Sequence, residues 1–125
     1  MKCIDTSVLI DAERDEATRL KLFGEDFFIP ALAAAEFLVG VRLIASEKKR
    51  QLAQEFYDEF STAVLPLNEP QARILANLIA DERRRGRTLK PYDAGIAAAA
   101  LEQECTLLAK DGDFEGIEGL TVERL

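Results

Sequence analysis

The chain has 125 residues, 48% hydrophobic and 31% charged, with a formal net charge of −7 and no histidine. That length fits one domain, residues 1–125, around a single core, and the composition excludes a disordered or fibrous chain. No apolar run nears the ~20 residues that span a bilayer, no signal-peptide core opens the chain, and Cys3 and Cys105 lack metal-ligand spacing, which together predict a cytoplasmic protein with buried, reduced thiols.

Residues 2–4 are predicted to form a short strand, followed by Asp5-Thr6-Ser7 as a turn capping a helix from about Val8. A second helix is expected over residues 15–23, stopped at Gly24. Phe27-Phe28-Ile29 reads as a buried strand ended by Pro30. Pro30 then leads a helix to about Ala45 that is apolar on nearly every side and so expected to be largely buried. Ser46 fits the N-cap of the next helix, on which Leu52, Phe56 and Phe60 recur every fourth residue.

Ala63-Val64-Leu65 reads as a third strand. Asn68 and Gln71 have capping-box spacing, and Ala72, Leu75, Ala76 and Ile79 supply the expected inner stripe of a helix that runs into an arginine block and stops at Gly86. Pro91 leads a further helix to about Glu104, residues 106–109 form a strand, and Leu120 to Glu123 form a possible edge strand. Strands separated by helices give an α/β domain, with a mainly parallel sheet of four to five strands and helices on both faces.

Four acids interrupt this pattern. Asp5 closes the apolar Met1-Lys2-Cys3-Ile4, Glu36 breaks the run from Ala31 to Val39, Asp93 opens an alanine-rich helix, and Asp111 follows the last long strand. An ionised carboxylate in apolar surroundings costs several kcal/mol unless it is paired, protonated or bound to metal. With no histidine present, a hard divalent cation held by oxygen ligands explains all four together. No two of them have helical spacing, so they must meet through the fold. Asp5 and Asp111 each follow a strand, where open α/β sheets bind ligands, and Asp93 lies at a helix N-terminus. Taken singly, each has a plainer role: Asp5 as a cap, Asp93 as first-turn charge, and Asp111 with Asp113 as a surface turn.

The net charge argues weakly against a nucleic-acid partner, but its placement softens that argument. Arg83, Arg84, Arg85, Arg87 and Lys90 form one basic block, and several of the excess acids belong to the expected metal cluster. The block also fits a solvated helix end favoured by the macrodipole.

Ile4-Asp5-Thr6-Ser7-Val8-Leu9-Ile10, the lone Glu36 with Gly40 after it, Asp93 ahead of Ile96-Ala97-Ala98, and Asp111-Gly112-Asp113-Phe114 resemble, in order, the four motifs of PIN-domain ribonucleases. The likeness is greatest to VapC-type toxins of prokaryotic toxin–antitoxin pairs and spans nearly the whole chain. It implies an endoribonuclease dependent on one or two Mg²⁺ or Mn²⁺ ions, restrained by a cognate antitoxin and commonly a homodimer. By the same resemblance Asp5, Glu36 and Asp93 would be the core metal-binding acids. Asp111 would be the fourth, with Asp113 competing for that place, and Thr6 would sit beside the metal through its hydroxyl. Ala109 departs from the family, which often has Thr or Ser there. Carboxylate-held metal activates water and stabilises charge on phosphate without a histidine base, and Arg84, Arg85 and Arg87 would position the RNA backbone.

Two other classes compete. A catalytically silent PIN-like interaction module would keep the fold without the chemistry. A Mg²⁺-binding phospho-acceptor receiver domain would need adjacent acids after the first strand and an Asp after the third, which Val64-Leu65-Pro66-Leu67-Asn68 does not supply.

Overall fold

The fold is built on five short strands, all parallel, in the order β3-β2-β1-β4-β5. They come from a computed structural model that describes residues 1–125, the side chain of Phe23 excepted. The strands are β1 (Lys2–Ile4), β2 (Phe27–Pro30), β3 (Val64–Leu65), β4 (Thr106–Ala109) and β5 (Val122–Arg124). Six helices surround the sheet: α1 (Thr6–Arg14), α2 (Glu16–Phe23), α3 (Ala31–Arg42), α4 (Glu47–Phe60), α5 (Glu69–Arg84) and α6 (Pro91–Glu102).

The chain first builds outward from β1 to β2 and β3, then crosses to place β4 and β5 on the other side. Strand order therefore reverses between β1 and β4, where Cys3 faces Leu107 and Ile4 faces Leu108. Such a reversal opens a crevice outside the carboxyl ends of the two strands. The strands are apolar because helices cover them: Cys3, Ile4, Ile29 and Leu107 are fully buried. Each large aliphatic side chain so placed contributes roughly 1.5–3 kcal/mol.

α6 packs on β1, β2 and β4, with α3 and α5 beside it. Every residue from Ala94 to Ala100 is buried, and small side chains let the three helices approach closely. A Cβ on Gly95 would collide with Leu32 of α3 and press on Leu75 of α5.

Several boundaries and faces differ from the sequence expectation. α1 begins at Thr6, not Val8, because Asp5 itself is the N-cap. α3 ends at Arg42, and it is not buried all round: Val39 is 50% exposed and Leu43, its C-cap, 78%, since neighbouring elements cover only part of its surface. On α4 Phe56 and Phe60 are buried as expected, but Leu52 turns to solvent and Ala53 completes the buried ridge. On α5 Ala72 and Ala76 are exposed, and Gln71, Leu75 and Leu78 face inward.

Asn68 caps α5 as expected, accepting from the Gln71 N–H at 2.9 Å, but the Gln71 side chain donates to Glu102 at 3.3 Å instead of closing a capping box. Ala63 belongs to a 3-10 turn ahead of β3, and α6 stops at Glu102. Cys3 is buried but Cys105 only partly so; both are free thiols. Among the described residues no helix is long and apolar enough to cross a membrane.

Candidate active site

Asp5 sits at the carboxyl end of β1, 3% exposed, and its geometry is fixed on two sides. Its N–H donates to the Leu108 carbonyl at 3.0 Å, extending the β1–β4 ladder by one bond. Its Oδ2 accepts from the Ser7 N–H at 3.1 Å and from the Ser7 hydroxyl at 2.5 Å. Burial pushes the Asp5 carboxyl above its ordinary range, the Ser7 hydrogen bonds oppose that shift, and the charge of Asp111 adds to it.

Glu36 lies half-buried in the second turn of α3. Thr6, 4% exposed, donates its hydroxyl to the Ala33 carbonyl at 3.3 Å and so ties the start of α1 to the turn of α3 just before Glu36. The Thr6 proton is thus committed to holding two elements together rather than being free in the crevice.

Asp93 is the third residue of α6. Its carboxyl is pushed up to about 6, first by burial and then by the charges of Asp113, Glu36 and Asp5, with Lys90 pulling the other way. Asp111 follows β4 by two residues and accepts the Asp113 N–H at 3.2 Å, a tight turn closed by its own side chain. The two rivals for one position are therefore both neighbours of the cluster: Asp111 acts on Asp5, and the exposed Asp113 acts on Asp93.

Asp5 and Asp111 follow the carboxyl ends of β1 and β4, and the charges of Asp5, Glu36 and Asp113 reach Asp93. Among the described residues no three of them converge closely enough to form a ready-made ligand set, so they are neighbours at electrostatic range. The donor set is nonetheless the one a hard cation takes, being all oxygen, partly desolvated and mutually repelling. Repulsion of this kind is what a divalent ion relieves.

Three arginines of the block have acidic partners on α5. Arg84 pairs with Asp81 at 2.8 Å, and Arg87 and Arg85 pair with Glu82 at 3.0 and 3.8 Å. All three guanidinium groups are more than half exposed, so each pair holds its partner with ~1 kcal/mol or less. Lys90 stands apart from them: it is the N-cap residue of α6, and its charge reaches Asp93.

Beyond its place in the capping turn, Ser7 accepts the Lys110 N–H just past β4; the signal for this is a hydroxyl two residues after a capping Asp, and so distant a partner has no signature in the sequence.

A family model described as the PIN domain matches residues 2–120. The chain is 29% identical over 126 residues to the toxin FitB of Neisseria gonorrhoeae, covering 91% of each chain. It is also 29% identical over 119 residues to ribonuclease VapC5 of Mycobacterium tuberculosis, covering 93% of this chain and 87% of that one. The crystal structure of VapBC-5 from Mycobacterium tuberculosis, a member of the VapBC family of toxin–antitoxin systems, matches with a TM-score of 0.78. It covers 99% of this chain and 98% of its counterpart at 23% identity, a likeness of fold.

Proposed function

The chain belongs to the PIN domain family, and from that premise we propose that it is a metal-dependent endoribonuclease, the toxin of a toxin–antitoxin pair. The observation that supports this reading is that Asp93, pushed up to about 6 chiefly by burial, is within reach of the charges of Asp113, Glu36 and Asp5, while Asp111 acts on Asp5. The likeness to a named toxin and a named ribonuclease supports both halves of it.

Asp5, Glu36, Asp93 and Asp111 would hold Mg²⁺ or Mn²⁺, with Asp113 on the outer side of the cluster. When bound, such an ion supplies charge stabilisation at phosphate and water activation near neutral pH. The remaining work falls to the chain's own groups. Ser7 donates twice to Oδ2 of Asp5 and so restrains the carboxylate. Thr6 keeps the Glu36-bearing helix against the start of α1. Lys90, beside Asp93, would meet an incoming phosphate, and Arg84, Arg85 and Arg87 would guide the RNA backbone once it displaces Asp81 and Glu82.

The exposed apolar side chains Val39 on α3, Leu43 at its C-cap and Leu52 on α4 support a protein partner, which this reading takes to be the antitoxin, and a homodimer belongs to the same proposal. A toxin acting on cellular RNA is placed in the cytoplasm. Incubating the purified chain with single-stranded RNA in Mg²⁺, Mn²⁺ or chelator tests the reading. Internal cleavage that requires the ion supports it, and an intact substrate under all three conditions rejects it.

A further inference from the structure

The hydroxyl of Ser7 joins two strand ends. It accepts from the Lys110 backbone N–H at 3.0 Å and donates to Asp5 Oδ2 at 2.5 Å. The direction of both bonds is fixed. An amide can only donate, so Ser7 Oγ must be its acceptor, and the single hydroxyl proton is left for the carboxylate. Lys110 follows the last residue of β4 and immediately precedes Asp111. One side chain therefore connects the acid at the end of β1 with the turn carrying Asp111 and Asp113 on the far side of the crevice. The Lys110 ammonium also pairs with Asp11 of α1, so that helix holds the same segment at a second point.

This arrangement has two consequences for the acids. Oδ2 of Asp5 accepts both the N–H and the hydroxyl of Ser7, which restrains the orientation of the carboxylate. The path of the chain leaving β4 is fixed relative to Asp5 by a bond and not by packing alone. The Ser7 backbone N–H contributes only to the first of these; the link to Lys110 needs the hydroxyl.

We propose that Ser7 is a positioning residue that sets the spacing between Asp5 and the Asp111–Asp113 turn, and so sets how tightly the cluster binds a divalent ion. The inference rests on the proposed function but concerns a residue outside the ion's own ligands. Loss of an outer partner that orients a ligand commonly costs 10–100-fold in metal affinity.

The test is direct Mn²⁺ titration of the full chain, followed by the electron paramagnetic resonance signal of the free ion, on wild type, Ser7→Ala and Ser7→Thr. Thermal unfolding in chelator and single-turnover RNA cleavage are measured alongside. The expected result is at least tenfold weaker Mn²⁺ binding for Ser7→Ala and binding within about threefold of wild type for Ser7→Thr, which keeps the hydroxyl. If Ser7→Ala does not fold, Ser7→Val replaces it, since Val matches Thr in shape and lacks only the hydroxyl. A merely structural serine would lower the unfolding temperature and leave the affinity of the folded chain unchanged; that outcome overturns the inference. A wild-type chain that binds Mn²⁺ and cleaves RNA, with a Ser7→Ala variant that binds equally well, overturns the role of Ser7 and spares the proposed function. A wild-type chain that takes up no Mn²⁺ overturns both.

Discussion

The Asp5 N–H donates to the Leu108 carbonyl at 3.0 Å, so a residue of the candidate site itself makes the last bond between β1 and β4. The same residue caps α1 through its side chain. Asp5 is therefore placed with the rigidity of the sheet and not of a loop, and its structural and chemical duties reside in different atoms.

Those duties separate on substitution. Asp5→Ala removes the capping oxygen and should cost about 1 kcal/mol of stability. Asp5→Asn keeps a capping oxygen and removes a buried charge, so its metal-free stability should equal or slightly exceed that of wild type. Urea unfolding in chelator measures both. Equal losses for the two variants would mean that the charge, and not the cap, holds the start of α1.

Asp93 gives the metal-free protein a pH dependence of defined sign. Its carboxyl rises from an ordinary 3.8 to about 6 in the fold. Between those values the folded chain binds more protons than the unfolded one, so this group's contribution makes stability fall as pH rises from about 4 to about 6. The effect should be on the order of 1 kcal/mol once solvent screening of a half-exposed group is allowed for. Thermal unfolding across that window in chelator should show the decline, and Asp93→Asn should flatten it. Parallel profiles for the two proteins would place the source elsewhere.

Asp111 and Asp113 load different members of the cluster, Asp5 and Asp93 respectively. Both Asp111→Ala and Asp113→Ala should slow single-turnover cleavage, and the double variant should be slower than either alone. A single variant at the wild-type rate would remove that acid from the site.

The arginine block should matter only if phosphate outcompetes Asp81 and Glu82. For a non-cleavable single-stranded RNA, the log–log salt slope of binding changes by about 0.7 for each phosphate contact. Replacing Arg84, Arg85 and Arg87 with Ala should flatten the slope by about 1.4, allowing one of the three to face away. An unchanged slope would leave the block as a helix end paired with its own acids.

Which parts of this were legible in the sequence follows from the range of the interactions. β1, β4 and the cap at Asp5 depend on neighbours a few residues apart, and short apolar runs ended by an acid disclose them. The inner faces of α4 and α5 are readable at Phe56, Phe60, Leu75 and Ile79 but not at their margins: whether Leu52 or Ala53 turns inward depends on where the neighbouring helix lies. The pairing of Arg84 with Asp81 and of Arg85 with Glu82 has i, i+3 spacing and was available from the residues. The bond from Lys110 to Ser7 spans 103 positions and exists only because β4 lands beside β1. The partition between Asp111 and Asp113 likewise depends on which strand end and which helix end each of them meets.

The central claim is that these acids form one metal-dependent nuclease site. Single-turnover cleavage of a single-stranded RNA by wild type and Asp5→Asn, in Mg²⁺ or Mn²⁺ and in chelator, tests it most directly. The account predicts cleavage by wild type only with the ion, and a loss of at least about a hundredfold, roughly 2.7 kcal/mol in the barrier, for a folded Asp5→Asn. Cleavage by wild type in chelator, or by Asp5→Asn at the wild-type rate, would contradict it.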